Sequence, residues 1–211
     1  MVSLPTPSIP DTPAAPRQRP RPGERRVQIL QALAALLEQP GGERITTAAL
    51  AAHMGVSEAA LYRQFASKAQ MFEGLIDFIE ASVFGLLRQL AEAEPDPHTC
   101  VQRQTAMLLQ FAEKNPGLAR VMVGDALVLE HERLQQRMNL FFDKFEAALR
   151  QSLRQPDLSL PDAPGPARVQ AATLAAVLTA YAQGQLQRYV RSGFRHLPTA
   201  QWAQHAACLL R

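Results

Sequence analysis

The segment from Thr46 to Phe65, which reads TTAALAAHMGVSEAALYRQF, constrains the fold of this chain more than any other stretch. Gly55 lies where two short helices must be joined by a sharp turn, and glycine readily adopts the left-handed backbone that such a turn requires. Leu61 and Phe65 are four residues apart, so they give the second helix one buried face. The pattern predicts a helix-turn-helix, a motif whose second helix enters the major groove of DNA. A plain corner between two helices of an all-α domain would show part of the same pattern.

Positive charge is concentrated around this motif. The formal net charge is +3; residues 1–70 contain eight Lys/Arg against five Asp/Glu, whereas residues 71–211 contain 14 of each. Because the affinity of proteins for DNA phosphates comes mainly from such charge, the asymmetry supports the interpretation of the motif as a DNA-binding element.

The remaining composition argues against several other classes of protein. Residues 1–26 contain no apolar run typical of signal peptides, and the nearly apolar stretch 171–182 is too short to span a bilayer, so we expect a cytoplasmic protein without a membrane segment. Cys100 and Cys208 are far apart and the five His are scattered, which predicts free thiols and no metal site. No Ser/His/Asp constellation or glycine-rich phosphate loop is present, so we expect no catalytic residue, no cofactor and no enzymatic activity.

The chain divides into three parts by composition. Residues 1–22 contain seven Pro and no apolar periodicity, which predicts a disordered tail. Arg21, near the end of this tail, could reach a DNA groove or phosphates as homeodomain arms do, or it could simply belong to a solvated segment. Residues 23–68 form the predicted DNA-binding domain, and residues 69–211 form a larger helical domain.

Apolar spacing of three and four residues runs through both domains, and we find no strand pattern, so the predicted fold class is all-α. Proline and glycine breaks at 40–42, 115–117 and 156–166 delimit the segments. In the fourth helix the apolar stripe includes Leu86 and Leu87. The predicted helices are residues 23–39, 47–53, 57–65, 68–94, 98–114, 117–128, 130–154, 167–193 and 198–210.

The last two helices, about 167–210, are apolar on more than one face, as Val177, Tyr181 and Leu186 illustrate. A helix of this kind is buried on both sides, by its own domain and by a second subunit. The pattern predicts a homodimer that uses these helices and places two recognition helices about one or more DNA turns apart.

The helix-turn-helix, together with Ser67-Lys68 and Met71-Phe72 on the fourth helix, resembles the TetR family of DNA-binding regulators. The resemblance implies a three-helix N-terminal DNA-binding domain followed by a C-terminal helical dimerisation domain, about nine helices in all. It covers residues 23–80 well, and the remainder agrees in the number and length of its helices.

Three sequence blocks later in the chain resemble one branch of the TetR family in particular. KNPGLARVM, ALVLEHERLQQRMNLFFDKFEAALRQSLR and QGQLQRYVRSGFRHLPT are similar to the nucleoid occlusion branch of this family. That branch implies a nucleoid-associated dimer that binds double-stranded chromosomal DNA and antagonises the tubulin-like division protein FtsZ. The long N-terminus and the 156–166 loop depart from it. The alternative is a ligand-responsive TetR-type repressor, although the Ala/Leu-rich C-terminal helices offer few polar anchors for a ligand.

The candidate DNA contacts lie at the starts of helices. Thr46 and Thr47 can cap the first motif helix, and their hydroxyls can also donate to phosphate. Glu58 either accepts from cytosine or favours the positive end of the second helix. Lysine is electrostatically unfavourable at a helix N-terminus, so Lys68 is predicted to contact phosphate. The full set is Arg21, Thr46, Thr47, Ser57, Glu58, Ala59, Ala60, Tyr62, Arg63, Gln64 and Lys68.

The recognition helix itself offers several chemistries. Ser57 can bond a base or a phosphate, and Ala59 and Ala60 can contact a thymine methyl group. Gln64 could read adenine or bond the backbone. Tyr62 matches an aromatic residue that contacts phosphate in the TetR family.

By the same resemblance, the surface that binds FtsZ lies between the fourth and fifth helices. Phe78 and Met107 would equally suit a packed core, and the polar candidates could simply be solvated. The implied contact residues are Phe78, Arg88, Met107, Gln110, Lys114 and Asn115.

Overall fold

The computed structural model describes residues 23–39, 45–154 and 166–210. Every regular element in these ranges is helical, which confirms the all-α prediction. The elements are α1 (Glu24–Leu37), α2 (Thr47–Met54), α3 (Glu58–Tyr62), α4 (Lys68–Ala93), α5 (Pro97–Lys114), α6 (Pro116–Met122), a 3₁₀ helix (Asp125–Leu127), α7 (Glu132–Ser152), α8 (Pro166–Arg191) and α9 (Trp202–Leu209). The predicted tail 1–22 with Arg21, the 40–42 break and residues 156–165 of the predicted loop lie outside the described residues.

Three predicted helix boundaries differ from the structure by three residues or more. The recognition helix α3 ends at Tyr62 rather than Phe65, because residues 63–66 turn the chain toward α4. The helix predicted over 117–128 stops at Met122, where Gly124 takes a positive φ of 78° and a separate 3₁₀ helix follows. The last helix begins at Trp202 rather than 198.

One continuous hydrophobic core joins the predicted DNA-binding domain to the rest of the described chain. Ile29, Leu33 and Leu37 of α1 pack in the same cluster as the buried residues of α4 to α9. In α4 the buried stripe includes Leu87 but not Leu86, which is 40% exposed, so the sequence-based placement of Leu86 in the core is wrong. The helix-turn-helix therefore shares a packed core with the later helices and is not joined to them by the chain alone.

The central helix α4 is held to α7 by a row of ion pairs. The Arg133 Nε donates to Glu73 at 2.8 Å, and an Arg137 Nη donates to both Asp77 and Glu80 at 2.5 Å. Five α4 and α7 side chains at successive helical turns are thus linked along one face. These bonds supplement the buried packing of α4, whose N-terminus directly follows the helix-turn-helix.

The helix α6 is docked onto α1 at a very close approach, which we call the α1–α6 joint. A Cβ placed on Gly117 would meet the carbonyl oxygen of Ala34 at less than 3.0 Å, a separation that Cβ atoms essentially never show. The buried guanidinium of Arg120 donates to the carbonyl oxygen of Leu37 at 3.2 Å and to Asp125 at 2.6 Å. The joint therefore connects the end of α1 to the C-terminal helices by both packing and hydrogen bonds.

Candidate nucleic-acid interface and partner surface

The helix-turn-helix forms as the sequence predicts, and its local bonds explain why. Thr46 caps α2, its hydroxyl accepting from the Ala49 N–H at 3.1 Å. Gly55 ends α2 in the left-handed conformation, with φ 63° and ψ 39°. The Val56 N–H then donates to the carbonyl of Ala51 at 3.0 Å, so the turn satisfies the backbone groups at the end of the helix.

A short network crosses the turn and joins three of the candidate DNA contacts. The Thr47 hydroxyl donates to the Glu58 carboxylate at 2.5 Å, and the Tyr62 hydroxyl donates to the Thr47 oxygen at 3.4 Å. Tyr62 is 46% exposed. The two roles that the sequence suggested for Glu58 did not include this bond, which places a carboxylate beside two hydroxyls at the start of α3.

The other candidates on α3 are open to solvent in different degrees. Ser57 is the N-cap residue of α3, but its side chain makes no capping hydrogen bond, so its hydroxyl remains available to a ligand. Ala59 and Arg63 are exposed, whereas Ala60 and Gln64 are partly buried. The arrangement presents small and hydroxyl groups at the start of the helix, where backbone N–H groups also favour phosphate.

Arg26 is a further residue of this surface that is not among the candidate contacts predicted from the sequence. Its guanidinium donates to the carbonyl of Gln64 at 2.5 Å and lies 4.1 Å from the centre of the Phe65 ring. The side chain thus bonds the chain just beyond α3 from the first turn of α1. A cation stacked on an aromatic face in this way positions the recognition helix while it remains at the surface.

Lys68 has a different partner from the one that the sequence suggested. Its ammonium forms an ion pair with Glu130, and the two side chains are only 17% and 7% exposed. It also lies 5.6 Å from the ring centre of Phe72. The position of Lys68 at a helix start therefore does not by itself require a phosphate, because a carboxylate 62 residues away in the chain compensates its charge.

The candidate partner residues divide into an exposed and a packed group. Phe78 is 52% exposed and does not lie in the core. Arg88, Gln110 and Lys114 are exposed as well. Met107 packs against the core, although it is only partly buried.

Asn115 has a clear structural contact of its own. Its side-chain amide donates to the carbonyl of Phe111 at 2.7 Å, at the corner between α5 and α6. The structure therefore shows an exposed aromatic ring on α4 and exposed polar groups along α5. Asn115 is held at the C-terminal end of α5.

Comparison with known proteins decides between the families that share such a motif. Residues 29–75 match the family described as bacterial regulatory proteins, tetR family, and residues 96–211 match the SlmA-like family described as tetracyclin repressor-like, C-terminal domain. The nucleoid occlusion factor SlmA of Idiomarina loihiensis is 47% identical over 182 residues, which cover 84% of this chain and 91% of that protein. The chain belongs to the TetR family, in its SlmA group.

A second SlmA relative and a solved structure support this assignment. The nucleoid occlusion factor SlmA of Vibrio cholerae is 47% identical over 190 residues, covering 88% of this chain and 93% of that protein. The fatty acid degradation regulator FadR from Bacillus halodurans superposes with a TM-score of 0.67 over 89% of this chain and 95% of that chain. At 15% identity, FadR shows the fold alone. In the part of the SlmA-group chain that the structure describes, no helix is both long and apolar enough to cross a membrane.

Proposed function

We propose that this chain is a nucleoid occlusion factor: a homodimer that binds specific chromosomal sites and antagonises FtsZ assembly over the nucleoid, in the cytoplasm. The observation that carries the proposal is the identity to proteins named nucleoid occlusion factor SlmA, which extends through the C-terminal half as well as the helix-turn-helix. A shared DNA-binding motif alone would support only a generic regulator. None of these relatives is named as an enzyme.

For DNA we propose that the Thr47–Glu58–Tyr62 network and the hydroxyl of Ser57 form the contact surface. The network holds the Tyr62 ring at the surface, and Ser57 lies at the start of α3, where free N–H groups attract phosphate. We add the exposed Thr46, Ala59 and Arg63 and the partly buried Ala60 and Gln64 to this proposed contact surface.

For dimerisation we propose the outer face of α8 and α9. Ala176, Val177, Ala180 and Gly184 follow one another at helical spacing on α8 and are all exposed, with Val177 at 42%. Exposed small and apolar residues in a helical stripe allow close approach of a second helix. The stripe supports the interface that the apolar pattern of residues 167–210 predicts.

For FtsZ we propose the surface that carries Phe78. A large aromatic ring that is half exposed on a helix is the kind of side chain that anchors protein interfaces, and truncating the few residues that act as such anchors costs about 2 kcal/mol or more. The exposed Arg88, Gln110 and Lys114 supply a polar rim.

The proposed function is tested by sedimentation of FtsZ polymers in the presence of the protein, with and without its DNA site. We expect the wild-type chain to reduce the pelleted fraction of FtsZ. The variant Phe78→Ala should lose this effect while it binds DNA normally. Leu140→Ala, at a residue 48% exposed on α7, is the matched control and should behave as the wild type.

A different pair of results would favour the alternative function. A small molecule that releases the protein from DNA, found in a thermal-shift screen, together with no effect on FtsZ sedimentation, would indicate a ligand-responsive repressor instead. Chromatin immunoprecipitation of the tagged protein would then still define its DNA sites.

A further inference from the structure

The C-terminal part of the chain has an unusual charge composition. Residues 163–211 contain five Arg and two His but no Asp or Glu. Three of these basic residues, Arg191, Arg195 and His196, lie together at the end of α8 and in the turn that follows, and all three are exposed. The helix-turn-helix is therefore not the only place where positive charge accumulates.

The turn after α8 is a rigid structure that holds these side chains outward. Gly193 and Phe194 both take positive φ, 61° and 65°. The Ser192 hydroxyl oxygen accepts from the backbone N–H groups of Arg195 and His196 at 3.1 and 2.9 Å, and the Arg195 Nε donates to the Ser192 carbonyl at 2.8 Å. The positions of the two basic residues are thus set by the backbone of the turn.

The same turn is bonded to the end of α5, where the proposed FtsZ surface ends. The Tyr189 hydroxyl donates to the carbonyl of Glu113 at 3.2 Å, and the Thr199 hydroxyl donates to the Glu113 carboxylate at 2.5 Å. Lys114 follows directly and is exposed. We call the set Lys114, Arg191, Arg195 and His196 the basic corner.

The basic corner lacks compensating charge of its own. Among the described residues, none of its side chains takes part in an ion pair. Glu38 and Glu113 are the carboxylates near Tyr189, whose pKa is raised first by burial and then by these two groups. Because Lys114, Arg191 and Arg195 pair with neither carboxylate in the described part of the chain, these three permanent cations remain open to an external anion.

The position of the corner argues against the DNA that α3 contacts as that anion. Glu38 is the C-cap of α1, whereas the recognition helix is bonded to the other end of α1 through Arg26. Since α1 has 14 residues, these two ends are about 20 Å apart, which exceeds the reach of an arginine side chain. The corner is instead contiguous with the α5 end of the partner surface.

We propose that the basic corner binds an acidic segment of the protein partner, so that the partner surface extends from α4 and α5 across the turn between α8 and α9. Arginine guanidinium groups bond carboxylates in a bidentate manner, and exposed pairs of this kind add specificity and speed of association. The identity of that partner as FtsZ rests on the function proposed above.

The test uses the full-length chain with Arg191→Glu and Arg195→Glu combined. The matched control is the combination of Arg150→Glu and Arg154→Glu, because these residues are exposed cations on and just after α7 without an ion pair among the described residues. FtsZ binding is measured by biolayer interferometry at low and at physiological ionic strength. We expect the corner variant to bind FtsZ about tenfold more weakly at low salt, with a smaller salt dependence, and the control to match the wild type.

DNA affinity by fluorescence anisotropy should be unchanged in the corner variant. Dimerisation by analytical ultracentrifugation should also be unchanged, because Arg191 and Arg195 lie beyond the α8 stripe of Ala176, Val177, Ala180 and Gly184 that is proposed as the dimer contact. An equal loss of DNA affinity, a loss of the dimer, or unaltered FtsZ binding would each overturn the proposal. Arg191→Glu alone leaves the Ser192–Arg195 bond in place, so it should retain the fold of the turn and show part of the effect.

The acidic-segment site can be tested separately if the proposed function fails. If the wild-type chain does not bind FtsZ at all, a fluorescent poly-glutamate peptide replaces FtsZ as the probe. Salt-sensitive binding of this peptide to the wild type and not to the corner variant would uphold the acidic-segment site. Equal binding to both proteins, or to neither, would overturn it.

Discussion

Among substitutions that add one methyl group, we expect Gly117→Ala to destabilise this protein most. The new Cβ would overlap the carbonyl oxygen of Ala34 and lie 3.0 Å from the Ala34 carbonyl carbon and 3.2 Å from Glu38 Cγ. Since the first two contacts are with backbone, neither can be relieved by a side-chain rotation. The helix α6 must instead move away from α1 by about 1 Å, a shift of the kind that costs roughly 1–3 kcal/mol in packed interiors.

The same movement weakens a second element of the α1–α6 joint. The bond from Arg120 to the Leu37 carbonyl is already 3.2 Å long, so a shift of about 1 Å breaks it, and a buried hydrogen bond to a charged group contributes roughly 1.5–3 kcal/mol. Alanine recovers up to about 1 kcal/mol because it is the better helix former. The balance is a loss of about 3 kcal/mol in the free energy of unfolding, which lowers the melting temperature by roughly 6–12 °C in a chain of this length.

Urea denaturation and calorimetry at one fixed protein concentration measure this loss, since the stability of a dimer depends on concentration. Gly85→Ala is the matched control. It is also a helical glycine, but a Cβ there meets nothing within 4 Å, so the substitution should stabilise the protein by about 0.5–1 kcal/mol. Arg120→Met separates the two contributions, because its effect should add less than fully to that of Gly117→Ala. A Gly117→Ala protein as stable as the wild type would refute the reasoning.

Three further substitutions test individual contacts. Lys68→Ala should lower the free energy of unfolding by roughly 1–2 kcal/mol, because the ion pair with Glu130 is lost. It should leave the salt dependence of DNA binding unchanged. A shallower salt slope in anisotropy titrations would instead show that Lys68 contacts a DNA phosphate. Tyr62→Phe should weaken DNA binding about fivefold with little change in melting temperature, since the hydroxyl makes only a 3.4 Å bond within the protein; equal affinity would remove Tyr62 from the DNA surface. Asp96 caps α5, and its pKa is lowered by hydrogen bonds from the side chain and then the backbone of Thr99, so its stabilising effect is present at neutral pH and disappears as the pH falls through the lowered value. Asp96→Ala should therefore be destabilising at pH 7 and nearly neutral in acid, which urea melts across that range would show.

The local parts of the fold could be predicted because their causes are local. Gly55 takes the left-handed conformation that its place after α2 requires, and Thr46 caps α2 as its hydroxyl suggests. The end of α6 was missed because Ala126 and Leu127 continue the apolar spacing beyond the turn at Gly124. The spacing of apolar residues alone does not show where one helix ends and the next begins when both helices contribute to the same core.

The candidate site was harder to predict, since its decisive contacts join residues that are distant in the sequence. Thr47 and Glu58 are 11 residues apart, and Lys68 and Glu130 are 62 apart. Electrostatic reasoning about one helix alone could not find the second pair. The exposure of Phe78 did leave a signal, because Ile79, and not Phe78, continues the buried spacing of Leu75 and Ile76 in α4.

The placement of Phe78 on α4 has a geometric consequence. The residue lies ten positions after Lys68, where α4 begins, which corresponds to about 15 Å along a straight helix. One turn of the DNA double helix is about 34 Å long. Under the function proposed above, a partner bound at Phe78 would therefore be held, along α4, within half that length of the helix end that adjoins the helix-turn-helix.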